Sequence, residues 1–301
     1  MRKSWFTRSQ IVGVLKELEA GVKATMICRK HGLSSVTLYS RRMKRWAAAL
    51  VALLLVDPLH AAPAENPALT NVSISWLTGS IYLVEDEAFD ILTNSLVYVG
   101  RSQVTVIGAS WTPETAKLVA NQIKQITPLP ITEVIDTSPD PEWSGGNGYW
   151  KRIGAKVLAI EITARLLQNT WRTTVADFRQ GHPSYPDEPP VLPTEVHTGD
   201  FQLQDGNIRC FYIGPSHTAG DIFVYFPKER VLDAGSILKE HLGNMAKADV
   251  KAYPRTLHRL EALRLDTNMI VSGHWSPVHG PDLIEHYLEL LRENAAQSKK
   301  L

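Results

Sequence analysis

Four short stretches hold most of the side chains that could do chemistry in this chain of 301 residues. They are Asp136-Thr-Ser138-Pro-Asp140-Pro-Glu142-Trp-Ser-Gly-Gly-Asn147, Gly214-Pro-Ser-His217-Thr-Ala-Gly-Asp221, Asp233-Ala-Gly-Ser236-Ile-Leu-Lys239-Glu-His-Leu-Gly-Asn244 and Ser272-Gly-His274-Trp-Ser-Pro-Val-His279-Gly. Each combines Gly or Pro with at least one group able to ligate a metal or move a proton. The two cysteines, Cys28 and Cys210, make no CxxC or zinc-finger spacing, so a metal site here must be built mostly from His, Asp and Glu. Cys210 falls within a strand pattern and reads as a small core residue. Taken singly, an Asp in a Pro-rich turn is a turn former and a His after a strand is a hydrogen-bonded surface residue.

Such loops act together only if regular elements gather them. The patterning predicts strands over 72–76, 81–84, 96–99 and 104–107, then a helix over 113–126 with Thr112 as cap and Pro113 in its first turn. A strand over 131–135, a short helix over 149–153, a strand over 156–160 and a long helix over 161–179 follow. Gly181 and Pro183 stop that helix, and a Pro-rich connection runs to Pro193. Strands return over 208–213, 222–226 and 231–232, and the chain closes with a helix over 254–265, a strand over 269–271 and a helix over 281–294. Two successive β-then-α halves predict an α/β fold in which helices cover two mixed sheets.

With 44% hydrophobic and 21% charged residues, the chain is neither disordered, collagen-like nor a coiled coil. The net charge of +1 excludes a uniformly basic nucleic-acid binder, yet residues 1–45 carry eleven Lys/Arg against two acids. In 1–42, Ile11, Val12, Leu15 and Leu18 fall at helical spacing and Gly21 ends the run. A short helix reads over 24–30, and Ser34 or Ser35 caps a basic helix over 36–42. That is helix-turn-helix order. Arg8-Ser-Gln-Ile11, Glu19-Ala-Gly21 and Cys28-Arg-Lys-His-Gly-Leu33 resemble the N-terminal helix-turn-helix of insertion-element transposases, which implies nucleic acid as a partner if the segment functions.

Residues 43–64 read differently. Lys44-Arg45, the apolar run over 46–56 and Ala62-Pro63-Ala64 are the three parts of a secretory signal peptide, too short for a membrane anchor of about 20 residues. Met43 stands where its initiator belongs. The expectation is export of residues 65–301 to the periplasm, away from DNA.

Over about residues 70–297 the chain resembles the metallo-β-lactamases, most closely the mono-zinc, carbapenem-selective subclass. The likeness is densest in Gly145-Gly-Asn-Gly-Tyr-Trp-Lys-Arg-Ile-Gly-Ala-Lys156, Gly214-Pro-Ser-His-Thr218, Ile237-Leu-Lys-Glu-His-Leu-Gly-Asn244 and Ala248-Asp-Val-Lys-Ala-Tyr-Pro254. It implies a four-layer αβ/βα sandwich, monomeric, with one zinc ion, a β-lactam or similar carboxylate-bearing amide as substrate, and the long helix over 161–179 as a lid above the site. It also implies that Lys239 and Asn244 bind substrate. Where the family reads N-x-H-x-D, this sequence has Ser138, Asp140 and Glu142. The subclass's metal-binding Asp, Cys and His positions become Glu142, Ser236 and His274.

A serine hydroxyl is a poor replacement for a thiolate on zinc. The expected ligand inventory is therefore His217, His274, Glu142 and Asp140, with Ser236 a weak addition, and the loss of sulfur shifts preference towards Mn or Fe. A carboxylate that is not a ligand, Asp140 or Glu142, is the candidate base. The leading expectation is metal-dependent opening of the β-lactam ring. The alternative is a catalytically degenerate protein of the same fold, with Asp140 and Glu142 as exposed turn carboxylates.

Overall fold

The computed structural model describes residues 71–298 and, apart from these, Lys30 alone. The helix-turn-helix expected over 1–42 and the signal peptide expected over 43–64 therefore lie outside the described residues, Lys30 excepted.

Strands β1 (Asn71–Thr78), β2 (Ile81–Ala88), β3 (Ile91–Val99), β4 (Val104–Ile107), β5 (Ile131–Ile135), β6 (Lys156–Ile160) and β7 (Glu195–His197) form a seven-stranded sheet in chain order. It is antiparallel from β1 to β4 and parallel from β4 to β7. The second sheet runs β13 (Val278–His279), β12 (Met269–Val271), β11 (Val231–Asp233), β10 (Phe223–Phe226), β9 (Ile208–Phe211), β8 (Phe201–Leu203), with β11 and β12 parallel. The helices are α1 (Pro113–Ile126), α2 (Pro141–Ser144), α3 (Asn147–Arg152), α4 (Glu161–Gly181), α5 (Tyr253–Ala262) and α6 (Leu283–Ser298).

Strand alternation builds the layers. Leu83, Leu96, Ile107, Ile135 and Leu158 meet Cys210, Val224, Phe226 and Val271 of the other sheet. Their chain neighbours Val84, Val97, Val106, Val134 and Val157 point the opposite way, onto Ala116, Val119 and Ile123 of α1 and Trp150 of α3. On the far side, Phe223, Tyr225, Leu232 and Ile270 pack against Leu257 and Leu260 of α5 and Tyr287 and Leu291 of α6. Three apolar interfaces between two sheets and two helical layers make the αβ/βα sandwich. Cys210 is core, as expected. The start of α1 also follows its sequence: Thr112 accepts from the Thr115 N–H, and Thr115 Oγ1 accepts from the Thr112 N–H.

Three departures bear on function. Strands β2 and β3 extend well past the expected 81–84 and 96–99, joined at Phe89 and Asp90, both at positive φ (55° and 61°). The acids 85–87 and the run Thr93-Asn94-Ser95 hide that hairpin from an apolar pattern, yet Asp86 and Asn94 are buried. Residues 141–144, read as loop, form α2. Strands β7, β8 and β13, absent from the expectation, are only two or three residues long.

Candidate functional site

The four chemical loops all leave strand ends, and they meet at one cavity of about 650 Å³. Its walls include Asp140, Glu142, His217, Lys239, Lys247 and His274. The first loop follows β5. The N–H of Gly146 bonds the Ser110 carbonyl, and a Cβ at Gly145 or Gly146 would stand 1.9 Å from the carbonyl oxygen of Trp111 or Ala109. The Gly-Gly pair is thus what lets α2 and α3 seat against the β4–α1 connection. Asn147 donates to the buried Asp136 carboxylate at 2.8 Å, anchoring the other end.

The second loop is shaped by Asp221, which accepts from Ser216 Oγ and from both the backbone N–H and the hydroxyl of Thr218, leaving His217 to face the cavity. The fourth loop is held by Asn94, whose amide donates to the carbonyls of Ser272 and Trp275. Trp275 sits at φ 60°, a strained backbone beside His274. Helix α4 supplies Thr174, Asp177 and Phe178 to the cavity, so the expected covering helix does border the site.

Two histidine–carboxylate pairs stand in the cavity. His217 Nε2 is 3.7 Å from Asp140 Oδ2, and His274 Nε2 is 3.8 Å from Glu142 Oε1. Both carboxylates are largely buried, which corrects the picture of exposed turn acids. Their surroundings differ. Asp140 Oδ1 is paired with the Lys247 ammonium. Burial, with the charge of Asp140 adding to it, pushes Glu142 up to about 8. Burial and the nearby Lys239 lower both imidazoles, His274 to about 4. Lys239 is itself 2% exposed and lowered to about 8 by burial.

Hydrogen bonds fix which ring nitrogens carry protons. Lys239 Nζ lies 3.4 Å from His217 Nδ1, which must accept, so His217 carries its proton on Nε2, towards Asp140. His274 Nδ1 faces the Leu92 carbonyl at 3.3 Å, which can only accept, so its lone pair is on Nε2. That lone pair meets Ser236 Oγ at 3.3 Å, and Ser236 accepts from Trp143 Nε1 at 2.9 Å.

The residues predicted from sequence are therefore together, but not as a metal cage. Among the described residues, no three His, Cys, Asp or Glu side chains converge at ligating range. The zinc that the resemblance implies does not fit this arrangement, because one imidazole lone pair faces lysine, the other faces serine, and Asp140 already holds an ammonium. Ser236, expected as a weak ligand, is tied to Trp143 and His274. Asn244 lines the cavity but spends its Oδ1 on the Ala246 N–H. Sequence reasoning missed Lys247 and Trp143. A lysine between two alanines and a tryptophan in a Pro-Glu-Trp turn carry no spacing signal.

The model of the metallo-β-lactamase superfamily matches residues 88–274, more than half of the chain, and the chain belongs to that superfamily. Curated relatives include a metallo-β-lactamase type 2 of Bacteroides fragilis, 24% identical over 76% of this chain and 89% of that protein. Metallo-β-lactamase IND-1 of Chryseobacterium indologenes is 25% identical over 83% of this chain and 100% of that protein. Among solved structures, a metallo-β-lactamase from Pontibacter korlensis superposes with TM-score 0.62 at 20% identity, covering 74% of this chain and 99% of that one. These relatives are metallo-β-lactamases, distant in sequence, and the solved one shares the fold over 74% of this chain.

Proposed function

We propose that this protein binds a small carboxylate-bearing amide of the β-lactam kind and has lost the metal-dependent ring opening of its relatives. The observation that carries the reading is Lys239. It lines the cavity, is buried, and has no carboxylate within ion-pair reach among the described residues, its one hydrogen-bond contact being His217. A buried ammonium with no carboxylate in direct contact is costly unless a ligand supplies one. The motifs around Gly145 and Ile237 favour the carbapenem-selective subclass as the source of that ligand preference. Export to the periplasm through residues 43–64 belongs to the same proposal, and among the described residues no helix is long and apolar enough to cross a membrane.

A second reading, metal-dependent hydrolysis, is favoured by the His217–Asp140 and His274–Glu142 pairs, which bring four potential oxygen and nitrogen donors to one cavity. Titration of the protein with a carbapenem, read by quenching of the cavity tryptophans Trp111 and Trp275, separates the two. Saturable quenching in chelator, weakened about tenfold or more in Lys239→Met, supports ligand binding by a desolvated charge. Ring opening that appears with zinc and vanishes with chelator supports the second reading.

A further inference from the structure

We propose that Lys247 is the resident cation of this cavity: its ammonium occupies the charge position at Asp140 that a metal ion would need, and holds the site in a metal-free state. The inference deepens the binding reading above, but depends on the cavity alone and not on which ligand enters it.

Three observations on this chain converge. Asp140 is 5% exposed, and one of its oxygens is bonded to Lys247 while the other faces His217. The His217 ring is oriented by Lys239, so its proton lies on the nitrogen nearest Asp140. The run Lys239, His217, Asp140, Lys247 is therefore a closed series of donors and acceptors that ends in ammonium groups on both sides. On the other side of the cavity, Trp143, Ser236, His274 and the Leu92 carbonyl form a second closed series, with every proton accounted for. A dication entering here would have to break into both series and approach two ammonium groups in a partly desolvated space, where like charges repel strongly.

The substitution of a neutral ligand by Asp140 explains why a cation is needed at all. A buried carboxylate needs a counter-charge, and Lys247 reaches it from the connection before α5 while keeping 42% of its side chain in solvent. That partial exposure means the ammonium can be removed without emptying a core position.

The test is a zinc titration of the chelator-treated full chain, with no carboxylate ligand present, by calorimetry, bound-metal analysis and thermal melting. The wild-type chain is expected to take up no stoichiometric zinc and to melt at the same temperature with and without it. Lys247→Met keeps the aliphatic stem, and is expected to bind zinc at least about tenfold more tightly and to gain a zinc-dependent rise in Tm. Lys247→Gln serves as the second variant should the first fail to fold. One tight equivalent of zinc on the wild-type chain overturns the proposal. So does a folded Lys247 variant that binds zinc no better than the wild type. Because no β-lactam enters this experiment, its failure is distinct from failure of the ligand-binding reading.

Discussion

The two halves of the cavity face the same problem and solve it differently. Both place a carboxylate under cover near an imidazole. In one half, Asp140 is ion-paired with Lys247, and the imidazole of His217 faces Lys239. In the other, Glu142 has no lysine in contact among the described residues, is raised to about 8, and sits beside a His274 lowered to about 4. That second pair holds its proton on the acid, not on the base. Burial keeps the proton on Glu142, whereas Asp140 is ion-paired with an ammonium. Lys247 touches Asp140 and does not touch Glu142, which is covered by burial alone.

The Glu142 half also rests on Trp143, which offers the largest lever on the comparison. The Trp143 ring fits between Gly108 and Gly273, where an added Cβ would come within 2.8 and 2.6 Å of it. It also supplies the proton donor to Ser236. Trp143→Ala should cost about 3–5 kcal/mol of stability by leaving a cavity, measured by chemical denaturation. Nuclear magnetic resonance of the His274 ring should then report a changed Nε2 environment with His217 unmoved. Movement of both rings would show that the halves are not separable.

How far the sequence announces these features follows from what fixes them. The sheets and α1 were legible because burial alternates with strand period and Thr112-Pro113 is a helix start. The β2–β3 hairpin tip was not, because its buried polar residues Asp86 and Asn94 satisfy tertiary needs that no local pattern encodes. The candidate site was legible as a set of loops, since His217, His274, Asp140, Glu142 and Lys239 do share one cavity. Its chemistry was not. That Asp140 is ion-paired depends on Lys247, more than a hundred residues away, and that Ser236 is silent depends on a tryptophan from another loop.

An intermediate effect tests the neutral half through pH. Glu142 has a folded value near 8 against an ordinary 4.5, so the folded chain holds this proton between those values while the unfolded chain releases it. Stability from this group therefore falls as pH rises through that window. Glu142→Gln mimics the protonated acid. It should come close to the wild type near pH 5 and exceed it by roughly 4 kcal/mol near pH 9. Asp86 and Asp233, raised to about 7, slope the wild-type curve in the same direction, and His274 slopes it the other way below its ordinary 6.5. The readout is accordingly the difference between variant and wild-type denaturation curves across pH. A difference that stays constant with pH would place the charge on Glu142 throughout.

The smallest effect belongs to the charged half, and its size is itself the argument. Asp140→Asn removes the anion but leaves Lys247 and Lys239 in place. Were Lys247 fully enclosed, an orphaned ammonium would cost several kcal/mol, on the order of 3–5. With 42% of its side chain in solvent, it can swing outward, so the expected loss is only about 1 kcal/mol. Salt should reveal the origin of that loss. Raising ionic strength should weaken the wild type more than Asp140→Asn, because only the wild type has an attraction to screen. Lys239, with 2% exposure, is far more enclosed than Lys247, so the carboxamide variant should also show a further lowering of the Lys239 ammonium towards neutrality. If denaturation in low and high salt shows equal losses for both proteins, Asp140 is not held by charge, and the contrast between the two halves rests on burial alone.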